Sequence, residues 1–417
     1  SAFKAYSWPL QVQMDVQDTT RNLDQEKEKF MERLEEEKEA FEKDLAQYSK
    51  DLDFVRYEMG DFSQALKYAV KINGLKEALD RAKERVVSFQ EREKLFGVEV
   101  SDFSNLDEMV ELFLPYNKLW TMAIDFKYSE DDWLNGALMK LDATEIETSV
   151  DTWYKDAYKL AKEFDTEPVP KGVAEEVRAA IDAFKGNLPV IRALCQEAMQ
   201  PRHWVELFEN LDADVDLEDQ LTLQQLNEIG IQKHIEKVEE ISAVAQKEFG
   251  LKKTLATMKA EWKPMELEAL PYKESGTYLL KGVDDVQTLL DDHIVKTQAI
   301  RGSPFIKPIE KECREWEAKL IYIQDLMEEW LATQRSWLYL EPIFSSEDII
   351  RQMPVESRRF QQVDQLWRTT MAQVHETPNV LEISEIDNLL QNFSDANKKL
   401  DEIQKGLNDY LETKRLA

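Results

Sequence analysis

Apolar residues recur at intervals of three and four along most of the chain, the period of helices with one buried face. Between residues 22 and 59, Leu34, Phe41, Tyr48 and Val55 fall seven apart and interleave with Leu45, Leu52 and Met59, which predicts one charged helix. The Glu and Lys run from Glu26 to Lys43 supports it through pairs at i, i+4. These heptads suit a coiled-coil seam or one helix of a bundle, and their small number favours the bundle. A second helix is predicted over 62–95, ending near Gly97. Asp102 to Asp107 reads as a loop and N-cap leading into a helix that Pro115 interrupts. Trp120, Phe126, Trp133 and Trp153 mark apolar faces as far as Phe164, and residues 165–172, DTEPVPKG, read as a linker. A short helix over 173–184 follows, and Asn187-Leu188-Pro189 starts another that runs toward Met199 and Pro201.

Leu211 to Gln220 reads as a polar acidic loop, and Leu223 to Ile229 as a short helix ended by Gly230. Then Ile235, Val238, Ile241, Ala245, Phe249, Leu255, Met258 and Trp262 keep helical spacing. About 30 residues at 1.5 Å each give a strut of about 45 Å. Gly250 inside it costs about 1 kcal/mol relative to alanine. It reads as a flexing point or as a helix junction, with the junction favoured.

The period changes between Glu261 and Phe305. Met265, Leu267 and Ala269 alternate with Glu266 and Glu268, Lys273-Glu274-Ser275-Gly276 is turn-like, and Thr277 to Leu280 is β-branched, aromatic and aliphatic. That pattern predicts a β-hairpin near 265–281. Helical spacing returns from Val283 to Ile294 and breaks at Gly302-Ser303-Pro304. A long helix is expected from Ile309 to Leu338, ended by Pro342. Ser346 or Glu347 caps a short helix stopped by Pro354, another follows over 358–374, and the last begins near Ser384. No repeat of fixed period emerges, so a strict solenoid is disfavoured.

Composition agrees with a helical chain. Only 12 glycines and 13 prolines stand against 33% charged residues. The 10 Trp, 13 Tyr and 18 Phe set it apart from a disordered acidic chain. The 53 basic and 83 acidic residues give a formal charge of −30, which would be repelled by nucleic acid, anionic membranes and the acidic surface of microtubules. No apolar run approaches 18 residues, so no membrane span is expected, and the N-terminus lacks a signal-peptide pattern. Cys195 and Cys313 are 118 residues apart; two free thiols or one distant disulfide fit that spacing, and free thiols suit a cytosolic compartment.

No catalytic or metal-binding constellation is found. None of His203, His234, His293 and His375 has Glu three residues before it, no HExxH occurs, and neither cysteine has zinc spacing. Asp291-Asp292-His293 reads as a surface cap, and His203 beside Trp204 as a packed core pair. The glycine and lysine order of a P-loop is missing both at Gly250 and at Gly276 to Gly282. Trp337, Tyr339 and Phe344 surround Pro342; packing against the final helices accounts for them, and a docking face for another domain is the sharper alternative.

Four stretches resemble the linker region of dynein heavy chains, most closely the axonemal type: the 261–305 segment, Pro201-Arg202-His203-Trp204 after Met199, Trp337 through Ile349 (WLYLEPIFSSEDI), and Arg359 to Asp364 with Trp367 just behind. The likeness runs from about Asn73 to the C-terminus. It implies an all-α, elongated, curved stack of helical bundles with the one hairpin. The implied order is the end of the tail (1–60), an N-terminal linker bundle (61–170), central linker helices (171–262), a hairpin and long-helix subdomain (263–345) and C-terminal helices leading to an ATPase ring (346–417). In that family the linker bends over the ring and drives ATP-dependent movement toward microtubule minus ends. ATP and Mg would then belong to the full-length motor, and this stretch would carry no enzyme activity. The implied partners are the ATPase ring of its own chain and, through the tail, other heavy, intermediate or light chains. Nucleic acid, membrane and direct microtubule contact are not expected. The implied location is the cytoskeleton, in the axoneme of a cilium or flagellum. A spectrin-like cytoskeletal scaffold is the alternative, disfavoured by the hairpin and by the missing repeat.

Overall fold

The structure, a computed structural model, describes residues 2–216 and 220–417, with side chains from Ser7 onward. Two compact units divide the chain, 1–241 and 242–417.

In the first unit, α1 (Ala2–Tyr57), α2 (Ala65–Phe96) and α3 (Ser104–Asn135) pack together through the faces their spacing predicted. Leu34, Phe41, Leu45, Leu52 and Val55 of α1 are buried, and Phe41 sets its ring edge-on to Phe89 and Phe103, each at 5.3 Å. This is a bundle helix, as the few heptads favoured. It starts earlier than the expected residue 22, because no proline or glycine between Leu10 and Met59 stops it. Then α4 (Ala143–Glu163) and α5 (Pro168–Lys185) pair, followed by the short α6 (Leu188–Leu194), α7 (Pro201–Asn210) and α8 (Leu223–Glu228). The acidic loop expected over 211–220 is irregular through Asp216; residues 217–219 lie outside the described residues.

Expectations drawn from prolines and glycines are corrected at several points. Pro115 does not interrupt α3, which runs through it; Phe113, Tyr116, Leu119 and Trp120 are all buried around it, and about 1.5–3 kcal/mol for each such side chain outweighs the roughly 3 kcal/mol a proline costs a helix. The 165–172 stretch is a linker only as far as Glu167. Pro168 and Pro170 occupy the first turn of α5, where the backbone N–H groups have no helical acceptor to lose. No junction exists at Gly250 either, since α9 (Ile235–Trp262) is one unbroken helix, and the division between the two units falls inside it.

The second unit holds the hairpin, β1 (Glu268–Pro271) and β2 (Tyr278–Lys281), in antiparallel register with Ala269 opposite Leu280 and Leu270 opposite Leu279. Gly276 turns it with a φ of 76° and Lys273 with a φ of 49°. Around it lie α10 (Asp284–Arg301), α11 (Glu310–Phe344), α12 (Glu347–Gln352), α13 (Pro354–Glu376), α14 (Val380–Ser384) and α15 (Leu389–Leu416). Pro342 does not end α11, which continues to Phe344. The buried Phe344 ring stacks on Phe360 at 5.4 Å, and the Ser345 N–H still donates to Glu341 O at 3.1 Å. The last long helix begins at Leu389 rather than near Ser384. Asn388, at φ 57°, breaks the backbone between α14 and α15. Among the described residues no helix is long and apolar enough to cross a membrane.

Candidate functional site

A two-stranded hairpin is marginal by itself in water, so what holds this one decides what it can do. Leu280 turns its backbone away from β1. Its N–H donates to the Gln334 side-chain oxygen at 2.8 Å, and its carbonyl accepts from the Gln334 amide at 3.1 Å. One side chain of α11 thus replaces a third strand at that point. Two residues along the same edge, the Tyr278 carbonyl accepts from the Trp367 indole N–H of α13 at 3.2 Å, and the Tyr278 ring stacks on His375 at 4.2 Å. The segment that leads into β1 is tied down as well. Leu267 N–H donates to Pro378 O at 2.8 Å, Val380 N–H to Met265 O at 3.0 Å, and the Asn379 amide to Lys263 O at 2.7 Å. These bonds occupy the outer edge of β2 and the 263–267 approach to β1, backbone groups that would otherwise be free to pair with another chain.

The turn is clamped by a charged relay. Asp364 accepts from the Trp337 indole at 2.9 Å through one oxygen and from Arg368 Nε at 3.0 Å through the other. The same guanidinium donates from Nη1 to Ser275 O at 2.5 Å. Behind it the Trp337 and Trp367 rings stack at 5.6 Å, Trp367 meets Phe393 edge-on at 6.4 Å, and Phe393 stacks on Trp330 at 4.9 Å. Asn397 of α15 completes the attachment. It donates to Glu329 O at 2.9 Å, and its side-chain oxygen accepts from Thr333 at 2.8 Å. Hairpin, α11, α13 and α15 are therefore cross-linked by directional bonds as well as by apolar contact, the combination that resists shear.

The three aromatics singled out from sequence separate here. Trp337 and Phe344 are buried in this core, while Tyr339 is 53% exposed. Of the three, Tyr339 keeps an outward ring. Gly250 lies in a stretch of α9 from Gln246 to Thr254 in which no side chain is buried, and a Cβ added there would meet nothing within 4 Å. The Thr254 hydroxyl donates back to Gly250 O at 2.9 Å, a bond that favours bending.

His203 is buried and accepts the Gln200 N–H at Nδ1 (2.9 Å), closing the head of α7. His293 is not the surface cap expected; it is buried because α10 turns it under Trp262, whose indole donates to Nδ1 at 2.9 Å. A Glu261 carboxylate oxygen stands 3.0 Å from His293 Nε2 without meeting hydrogen-bond geometry. Both cysteines are free, and burial pushes the Cys195 thiol up to about 12. Among the described residues no group of three or more His, Cys, Asp or Glu is placed to hold a metal ion.

Gln334, Asp364, Arg368 and Asn379 gave no sign of these roles in the sequence. Only the i, i+4 spacing of Asp364 and Arg368 hinted at a pair; the long-range partners depend on the tertiary fold.

The family described as dynein heavy chain, N-terminal region 2, matches residues 106–417. Human dynein axonemal heavy chain 3 is 39% identical over 414 residues, 98% of this chain and 10% of its own length. Rat dynein axonemal heavy chain 1 is 36% identical over 420 residues, 99% of this chain and 9% of its own. Human dynein axonemal heavy chain 12 is 32% identical over 419 residues, 98% of this chain and 13% of its own. The chain spans about a tenth of the length of these relatives.

Proposed function

Since this chain belongs to the dynein heavy chain family, to the N-terminal region of the axonemal type, we propose that it is the motor's linker, a mechanical lever that performs no reaction itself. Its work is to bend and straighten over the ATPase ring of its own polypeptide, so that ATP turnover there becomes minus-end-directed movement along microtubules. ATP and Mg belong to that ring. Residues 1 to about 60 are the end of the tail, through which other heavy, intermediate or light chains attach. The site of action is the ciliary or flagellar axoneme. The observation that carries this reading is the hairpin fastened along its β2 edge and at its turn to two helices, α11 and α13, with its 263–267 approach tied to the 378–380 segment, an attachment that suits residues 263–407 to transmit load as a block. The stretch around Gly250 in α9, where no side chain is buried, is the compliant part that a lever needs. A spectrin-like scaffold would be built of repeated three-helix units and has no use for a clamped hairpin.

The test is a full-length axonemal motor carrying Gln334→Ala with Trp367→Phe. Gliding velocity should fall by half or more while ATP turnover persists. Unchanged velocity, or velocity and turnover falling in proportion, overturns the lever reading.

A further inference from the structure

The first helix outlasts its neighbours. α2 runs antiparallel beside it, with Arg85 Nη1 2.8 Å from Asp44 and Arg92 Nη1 2.6 Å from Glu37, and turns back at Gly97. Leu34 is the first buried residue of α1 among those with described side chains. The apolar stripe nevertheless runs on toward the N-terminus. At 3.6 residues per turn, Val12, Val16, Leu23 and Phe30 fall within about 40° of Leu34, on the face that carries Phe41 and Leu45 into the core. These four are 43–60% exposed. From Val12 to Phe30 the open stripe is about 27 Å long at 1.5 Å per residue. Single exposed apolar side chains are ordinary, but four in line with a filled seam mark an interface.

Helix propensity gives a second, independent reason. Val12, Val16, Thr19 and Thr20 are β-branched and stiff at χ1, which favours a lone helix poorly, and a helix in water draws most of its stability from packing an amphipathic face. This stretch is helical without a neighbour on its apolar side. Its borders carry a sign. Asp15 and Glu26 lie along one side of the stripe and Asp24 along the other, and among the described residues none of the three is ion-paired. Arg33, on the same border as Asp15 and Glu26, is taken up by Glu37 at 3.3 Å. Arg21 and Lys29 are turned away, and Lys27 lies on the stripe, where its methylene stem extends the apolar surface. An exposed apolar stripe with acidic borders matches a helix that is apolar along one face and cationic beside it.

We infer that a helix of a separate polypeptide packs along residues 12–30 of α1 and prolongs the seam that α2 and α3 fill below it. Its apolar residues, spaced i, i+3/i+4, i+7, cover Val12, Val16, Leu23 and Phe30, and its lysines or arginines face Asp15, Asp24 and Glu26. The inference rests on the reading of residues 1 to about 60 as the tail through which other chains attach, and it gives that attachment a surface and the partner a chemistry. A second copy of this chain is a poor occupant, because it would set these carboxylates against their own kind and each copy carries a formal charge of −30.

The probe is a fluorescent 21-residue synthetic helix with a leucine stripe bordered by lysines, titrated against the whole 1–417 chain at physiological salt and followed by anisotropy. One-to-one saturable binding is expected. It should weaken at least tenfold in Val16→Gln/Leu23→Gln/Phe30→Gln and stay within twofold of the original in Leu66→Gln/Val70→Gln/Val87→Gln, which takes as many exposed apolar side chains from α2. All six residues are exposed, so both variants should keep the melting midpoint, and lost binding is not lost fold. Equal weakening by both triples overturns the site, and so does equally tight binding by a probe with glutamates in place of the lysines. A dimer of 1–417 in sedimentation that the α1 triple abolishes makes a second copy the occupant and overturns it too. In the full-length motor, a photocrosslinking residue at Leu23 must capture a different polypeptide through a stretch with this apolar spacing and basic borders. Capture within the heavy chain itself, or of nothing, refutes the assignment. None of these outcomes decides the lever reading, which stands or falls on gliding velocity.

Discussion

Asp364 bonds one oxygen to Trp337 and the other to Arg368, and Arg368 reaches the hairpin turn. Removing the carboxylate leaves a buried indole N–H and a half-buried guanidinium without their acceptor, which costs about 1–3 kcal/mol. Asp364→Ala should therefore lower the melting temperature although it deletes little apolar surface, and an unchanged midpoint would show that the relay contributes nothing. Glu93 makes the same point with a pH signature. It is fully buried, accepting from the Ser101 hydroxyl at 2.5 Å and the Ser101 N–H at 2.8 Å, with the Lys38 ammonium 2.9 Å away. Burial works to raise its carboxyl, but the Ser101 and Lys38 contacts outweigh it and hold the group below the ordinary value of 4.5. A lowered folded pKa means stability that is present above the unfolded value and lost as pH falls through the folded one. Thermal melts should show the natural chain losing more stability than Glu93→Gln on acidification below pH 4.5, from a starting point about 1–3 kcal/mol higher. Parallel curves would refute the linkage.

Among the elements, periodicity was the part that the sequence exposed. The stripe from Leu34 to Met59, the helix from Ile235 to Trp262 and the alternation from Met265 to Ala269 became helix, helix and hairpin approach, because burial of a regular face is encoded locally. Where punctuation residues met strong burial, burial won, as at Pro115 and Pro342. The fastening of the hairpin could not be read in advance, since Gln334 and Leu280 are 54 positions apart and Arg368 and Ser275 are 93. Gly250 shows the opposite balance, a helix breaker left in place where no neighbour is buried to favour a better helix former. Gly250→Ala should stabilise α9 by about 1 kcal/mol, since the added methyl meets no atom. If that stretch is where the lever yields, the same change in a full-length motor should slow gliding while raising the melting temperature. Faster or unaltered gliding with a stabilised helix would place the compliance elsewhere.

For the whole molecule, charge and the proposed division of labour lead to one expectation. On the proposed reading this chain supplies stiffness and attachment, and the chemistry is left to the ring. The 83 acidic residues against 53 basic ones give this chain no electrostatic reason to approach the acidic microtubule surface. A catalytic site would need perturbed, converging groups in a cleft. Here the charged networks at Glu93 and Asp364 are spent on backbone and indole partners, holding helices and a turn in place. Purified 1–417 should therefore show no ATP turnover above buffer and should stay in the supernatant when microtubules are pelleted at low salt, where electrostatic attraction is strongest. Either nucleotide hydrolysis that survives stringent purification or co-pelleting with microtubules would mean that the chain acts on its own account, and the division of labour between lever and ring would have to be redrawn.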